Sequence, residues 1–265
     1  MNKAKILFKR NSHNRLMGVL AAFGRALNRY YENRNHHKAS NGELTVIRKI
    51  AGLEPAVMID GGANLGEYSQ LFHQYSPGTS IWAFEPVRST FMELQERMAG
   101  YEHIRVINKG LFSEKCSREI HILHPNTHST LYDLKDARHR TDRKERIDLV
   151  RGDDFLEEAG IETVDFLKLD LEGADYDALV GFEEAFRQKR IRAVQFEYGH
   201  INITTRKLLL DFYEFFGQHG YRIGKIYPKR VVFRPYDYLY EDFLGPNHIA
   251  VDERETALIS MLERR

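Results

Sequence analysis

Five short apolar runs in this chain each end on a polar residue, and that recurrence restricts the fold more than any other feature. The runs are Ala56–Asp60, Ser80–Glu85, Ile104–Asn108, Asp165–Asp170 and Arg192–Glu197, with a sixth strand candidate at Tyr221–Tyr227. Helical stripes separate them. Tyr68, Leu71, Phe72 and Tyr75 recur at helical spacing before Pro77-Gly78. Phe91, Leu94 and Met98 follow Ser89 as N-cap, and Leu179, Phe182 and Phe186 form a third stripe. A fourth joins Leu208, Phe212, Phe215 and Phe216, ended by Gly220. Such alternation predicts an α/β fold around a parallel sheet, with ligands outside the carboxyl ends of the strands. The chemistry is therefore expected at Asp60, Glu85, Asn108, Asp170 and Glu197. Residues 112–152 break the rhythm. Strand-like runs at Ser117–Leu123 and Ile147–Val150 predict a hairpin-like insertion with a mobile lid over the site.

Charge is unevenly spread. Residues 1–50 carry eleven Lys and Arg against Glu32 and Glu43, while the whole chain of 265 residues is only +1. The start is basic and the body acidic. Leu16, Leu20, Phe23, Leu27 and Tyr30 predict an amphipathic helix with Arg15, Arg25 and Arg29 between them. It is expected to dock on the acidic body; contact with a membrane surface or anionic glycan is the alternative. The run Leu16–Gly24 is too short to span a bilayer, and Arg25 and Arg29 speak against a signal peptide. Residues 1–42 thus form a basic arm and linker, and 43–265 one domain. The lone cysteine, Cys116, excludes an internal disulfide, and the near-zero net charge argues against nucleic acid as a partner. The expected location is cytoplasmic, with peripheral membrane contact through the arm as the added option.

Ile59-Asp60-Gly61-Gly62-Ala63-Asn64-Leu65-Gly66 leaves a strand and opens a helix. Glycines permit the sharp turn, and free amides at the helix start attract an anion. A dinucleotide pyrophosphate and the carboxylate of S-adenosylmethionine both fit, the latter with its ammonium on Asp60. The dinucleotide fingerprint survives only as G-x-A-x-x-G, which keeps an NAD-dependent oxidoreductase as the weaker reading. Glu85 ends the next strand, where a carboxylate accepts from ribose hydroxyls, and Pro86 stops that strand. Asn108 is either an adenine-edge residue or an Asx-turn residue.

Val57 to Ser69, Ala83-Phe84-Glu85-Pro86, Phe166 to Ala174 and Gln195-Phe196-Glu197-Tyr198-Gly199 resemble the FkbM family of methyltransferases, in order and spacing. The resemblance spans roughly residues 45–250. It implies a class I, Rossmann-like methyltransferase fold: a seven-stranded, mostly parallel sheet with helices on both faces and an antiparallel strand at His248–Val251. It implies S-adenosylmethionine as cofactor and O-methylation, often of sugar or polyketide hydroxyls. The donor is then assigned to Asp60, Gly61, Gly62, Ala63, Asn64, Gly66, Tyr68, Ser69, Glu85, Pro86 and Asn108. The extra glycine near position 61 and the basic arm depart from the family pattern. A non-catalytic protein that keeps the fold is a further alternative.

An alcohol acceptor must lose its proton, so a base is needed near the fourth and fifth strand ends. Asp170, Glu172, Glu197 and His200 are the candidates. The three carboxylates are also the ligand set that Mg²⁺ would use if a metal takes part. Lys168, between Leu167 and Leu169, is expected to pair with one of these acids. His128, Ser129 and Tyr198 are assigned to the small-molecule or glycan acceptor. His121, His124 and His128 have metal-like spacing, but Pro125 argues against the helix such a site needs. Tyr227, Tyr236, Tyr238 and Tyr240 offer faces for a sugar, or simply sheet packing.

Overall fold

Alternating strands and helices do form one layered domain in the computed structural model, which describes residues 9–10, 12–122, 129–133, 143–245 and 247–265. In chain order the elements are α1 (Arg15–Tyr31), α2 (Glu43–Ala51), β1 (Val57–Gly61), α3 (Glu67–Tyr75), β2 (Ser80–Phe84), α4 (Arg88–Met98) and β3 (Ile104–Ile107). Then come β4 (Gly110–Phe112), β5 (Cys116–Ile122), β6 (Ser129–Thr130), β7 (Lys144–Arg151), α5 (Gly152–Glu158), β8 (Val164–Leu169), α6 (Asp175–Gly181) and α7 (Glu183–Arg187). The chain closes with β9 (Ile191–Glu197), α8 (Ile201–Thr205), α9 (Leu209–Gln218), β10 (Tyr221–Tyr227), β11 (Arg230–Phe233), β12 (Asn247–Asp252) and α10 (Thr256–Glu263).

The main sheet runs β11-β10-β12-β9-β8-β1-β2-β3. Pairs among β3, β2, β1, β8 and β9 are parallel, and β12 is antiparallel to both neighbours. The expected seven strands are thus eight. Arg230–Phe233 folds back on β10 as an added antiparallel edge, too short a run to stand out in sequence. Met58, Phe166 and Ala193 pack under α2, α3, α4 and α10, while Ile59, Leu167 and Val194 meet α5, α6, α7 and α9. The chain moves to β2 after β1 but to the other side with β8, so a crevice opens between β1 and β8 at their carboxyl ends.

Two boundaries differ from expectation. Ser89 lies inside α4, whose cap position is Val87. The stripe Leu179–Phe186 is broken at Phe182 into α6 and α7. Asp153, in the first turn of α5, caps the start of α7 by accepting from the amides of Glu184 and Ala185. The insertion is more than a hairpin. β4, β7, β5 and β6 form a second sheet whose inner side, Ile120, Ile147 and Leu149, is buried. The residues 123–128 and 134–142 of the expected lid lie outside the described residues.

The arm overturns its docking expectation. Helix α1 buries no residue: Leu16, Phe23 and Tyr30 are 68%, 63% and 84% exposed. The polar residues after it do the docking. Glu32 accepts from Lys225 at 3.4 Å and from the Tyr227 hydroxyl at 3.1 Å. Asn33 is buried and donates to the carbonyls of Asn41 and Ile226 at 2.6 and 2.9 Å. A stretch that reads as a linker is therefore bonded to β10, because buried amides and charges demand partners.

Candidate functional site

A row of polar residues crosses the sheet beneath the crevice. Strand register sets Asp60 beside Lys168 and Lys168 beside Gln195. Lys168 Nζ lies 3.1 Å from Asp60 Oδ1 and 3.5 Å from Asp170 Oδ2, and donates to the Gly62 carbonyl at 3.2 Å. Burial opposes its charge, but Asp60 and Asp170 outweigh burial and hold the ammonium above the usual lysine range. Asp60 also accepts from Ser69 Oγ at 2.7 Å. Gln195 links Tyr68 and Glu43, each at 3.0 Å, and Asn41 bonds Glu43 at 3.0 Å. Burial raises the Glu43 carboxyl, against the lowering bond from Asn41.

Above this row lies a cavity of about 520 Å³, in the range of cofactor sites. Of the expected donor residues, Gly62, Ala63, Asn64, Tyr68, Glu85 and Pro86 line it. Gly62 must be glycine: its φ is +73°, and a Cβ would meet the Asp170 carbonyl oxygen at 2.1 Å. Asp60 does not line the cavity. It is fully buried by its bonds to Lys168 and Ser69, so the expected contact with a ligand ammonium is replaced by a structural pair. Gly61, Gly66 and Ser69 likewise shape the turn from beneath. The amides expected to cradle an anion are engaged: Gly62 and Ala63 donate to the Phe84 carbonyl, and Asn64 to Glu85 Oε2. Asn108 spends its amide on the carbonyls of Glu85 and Pro86, which makes it a turn brace, not an adenine-edge residue.

Glu85 is buried and also accepts from the Val87 amide at 3.0 Å. Burial pushes its carboxyl up to about 7 against those two amide bonds. Val87, Leu111, Ile120, Ile147 and Leu149 make an apolar slot beside it, the last four from the second sheet.

The opposite end gathers Asp170, Glu172, Glu197 and His200. Burial, then Asp170 and Glu172, raise the Glu197 carboxyl well above its ordinary range. His36 Nδ1 stands 3.8 Å from Glu197 Oε1. Ser129 lines this end, His128 lies outside the described residues, and Thr130 holds the Glu172 carbonyl at 2.7 Å. Tyr198 corrects its acceptor assignment: it is 1% exposed and its hydroxyl donates to Glu241. Tyr227 and Tyr236 also turn their hydroxyls to carboxylates, on Glu32 and Glu241. Among the described residues no group of three His, Cys, Asp or Glu is placed to hold a metal ion, so the Mg²⁺ option on Asp170, Glu172 and Glu197 gains no support.

Four contributors escaped the sequence reading. His36, Lys38 and Asn41 wall the cavity from the arm, and Glu43 from the start of α2. Asp175, unlike these, acts from behind. It accepts from the amides of Leu171 and Glu197, both at 3.2 Å, and so ties the ends of β8 and β9 together. Burial raises it to about 7.

A family model described as the methyltransferase FkbM domain matches residues 60–223. Over 166 residues the chain is 25% identical to the 2-O-methyltransferase NoeI of Sinorhizobium fredii (strain NBRC 101917 / NGR234), covering 56% of this chain and 67% of that protein. Over 150 residues it is 27% identical to Methyltransferase 1 of Beauveria bassiana (strain ARSEF 2860), covering 49% and 60%. The match thus spans about two thirds of the first relative's length and less of the second's. The solved precorrin-6y C5,15-methyltransferase of Geobacter metallireducens GS-15 aligns with a TM-score of 0.42 at 12% identity, over 78% of this chain and 85% of that one.

The buried row predicts a specific stability pattern. Lys168→Met leaves Asp60 charged and uncompensated, and is expected to lower stability in urea unfolding by about 3–5 kcal/mol. Adding Asp60→Leu recovers most of that loss. A single-variant loss below about 1 kcal/mol contradicts the pair's role.

Proposed function

The chain belongs to the FkbM methyltransferase family, and on that premise we propose that it transfers a methyl group from S-adenosylmethionine to a hydroxyl of a sugar-containing acceptor. The observation that carries this reading is one cavity with Glu85 and the glycine turn at one end and Glu197 at the other. Family membership sets the oxidoreductase alternative aside.

The residues present fit the donor. Glu85 offers its remaining lone pairs to ribose hydroxyls, and the apolar slot takes the adenine face. With the turn amides occupied, Glu43 and Asn41 receive the ammonium and Lys38 the carboxylate of the methionyl end. When bound, the donor supplies an electrophilic methyl group that needs no covalent help from the protein. The chain's own task is to exclude water, align the acceptor and take its proton. Glu197 accepts the acceptor's hydroxyl proton, as a carboxylate that lines the cavity with His36 beside it is placed to act as a general base. His36 passes that proton to solvent, since its ring is 62% exposed and 3.8 Å from Glu197. Asp170, paired with Lys168, keeps the neighbouring strand end in place.

The NoeI likeness, a 2-O-methyltransferase by name, supports a hydroxyl acceptor. For the arm we propose peripheral attachment. No described helix is long and apolar enough to cross a membrane, but α1 pairs an exposed apolar stripe with Arg15 at its start, after the exposed Lys9 and Arg10, and carries no acid. Such a helix lies in the interface of an anionic bilayer.

Calorimetry with S-adenosylhomocysteine tests the donor site. Binding is expected to the folded chain, and no binding at any pH defeats the reading. The hydroxyl bonds need ionised Glu85, whose folded value is about 7, so affinity is present above that value and lost as pH falls through it. About a tenfold decrease is expected from pH 8 to pH 6, flattened in Glu85→Gln. Glu197→Gln is expected to slow transfer of radiolabelled methyl groups to a cell glycan extract by roughly 10²–10⁴-fold, with S-adenosylhomocysteine affinity unchanged. Undiminished transfer removes Glu197 as the base. Co-sedimentation with phosphatidylglycerol vesicles, but not with phosphatidylcholine, tests the arm. Leu20→Asp/Phe23→Asp abolishes it if the stripe is the anchor.

A further inference from the structure

A second cavity, of about 640 Å³, lies between α1 and the domain. It shares His36, Gly199 and His200 with the first, so the two meet at the end where Glu197 stands. Its chemistry differs sharply. Arg25, Arg29 and Arg34 reach it from the arm, and no carboxylate lines it. Among the described residues Arg25 and Arg29 have no ion-pair partner. Arg34 bonds Asp242 at 3.3 Å, yet its buried Nε has no acceptor. Three guanidinium groups with Asp242 as their one ion-pair partner among the described residues repel one another, and a buried donor left unmade costs free energy. An anion relieves both.

The helix explains how this arises. At 3.6 residues per turn, Arg25 and Arg29 fall opposite the stripe of Leu16, Leu20, Phe23 and Leu27. The apolar face turns outward and the arginine face turns to the domain. Glu32 and Asn33, bonded to β10, fix the end of the helix in that orientation.

We propose that this cleft binds the phosphate of a phosphorylated sugar, so that the acceptor is an anionic glycoside held by Arg25, Arg29 and Arg34. The proposal rests on the methyl-transfer reading and names its substrate class. Guanidinium forks match phosphate oxygens in pairs. Tyr30 and Phe243 supply flat faces for the sugar ring, and the volume exceeds what phosphate alone requires. From there a ring hydroxyl reaches Glu197 across the wall of His36 and His200. A neutral sugar lacks the group that the arginines hold.

Titration of the full chain with glucose 1-phosphate, glucose and inorganic phosphate tests this, with S-adenosylhomocysteine titrated into the same samples. Glucose 1-phosphate is expected to bind, inorganic phosphate to bind more weakly and compete with it, and glucose not to bind. Arg25→Gln/Arg29→Gln is expected to weaken the phosphate ester at least tenfold, with Arg25→Lys/Arg29→Lys losing less, while S-adenosylhomocysteine affinity stays unchanged. Equal binding of glucose and its phosphate overturns the proposal, as does ester binding that the Gln variant leaves intact. Arginine-dependent binding to phosphatidylglycerol vesicles without any to the soluble ester also overturns it, by assigning the arginines to a lipid surface. Loss of S-adenosylhomocysteine binding in the native chain is a separate result that strikes the methyl-transfer reading instead.

Discussion

The ion pair of Asp60 with Lys168 is the constraint around which the site is arranged. Two neighbouring parallel strands carry opposite charges into a dry layer, where each is tolerable only beside the other. The lysine then has protons to spare. It directs them to the Gly61 and Gly62 carbonyls and to Asp170, and so joins the turn after β1 to the end of β8. Ser69, Tyr68, Gln195 and Glu43 extend the network to α3, β9 and α2. The crevice floor is thus a connected polar layer, and displacement of one member is felt by the rest.

Raised carboxyls are the other signature of this floor. Glu85 and Asp175 both sit near 7, from burial above all. A carboxyl whose folded value lies above its unfolded one favours folding less as pH rises from about 4.5 to 7. The fold therefore carries a cost at these positions, of the kind expected where groups are placed for ligands and proton transfer.

Much of this was legible in the sequence. Strand Tyr221–Tyr227 ends where the apolar run ends, and of the five polar residues closing the other runs Glu85, Asp170 and Glu197 line one cavity, while Asp60 and Asn108 do not. Side-chain direction was not legible. Asp60 and Glu85 both close apolar runs, yet one points into the sheet's inner layer and the other faces the cavity, a distinction set by register and pleat. Tyr198 was misjudged for the same reason, one residue from Glu197 on the opposite side of the backbone. The turn amides look free in any glycine-rich spelling, and only tertiary contact with Phe84 shows them taken. The polar residues from Glu32 to Ser40 read as solvated linker because polarity was equated with exposure, whereas Glu32 and Asn33 are polar because they bond buried partners.

The four oxygens around Lys168 have one more consequence. An amine nucleophile attacks through its lone pair, and here that lone pair is covered by a proton which Asp60 and Asp170 hold in place. Acylating or carbonyl-seeking reagents that label accessible lysines in this chain therefore find no electron pair on Lys168. Lys168 thus serves beneath the crevice as a strut, an ammonium held by its two carboxylates.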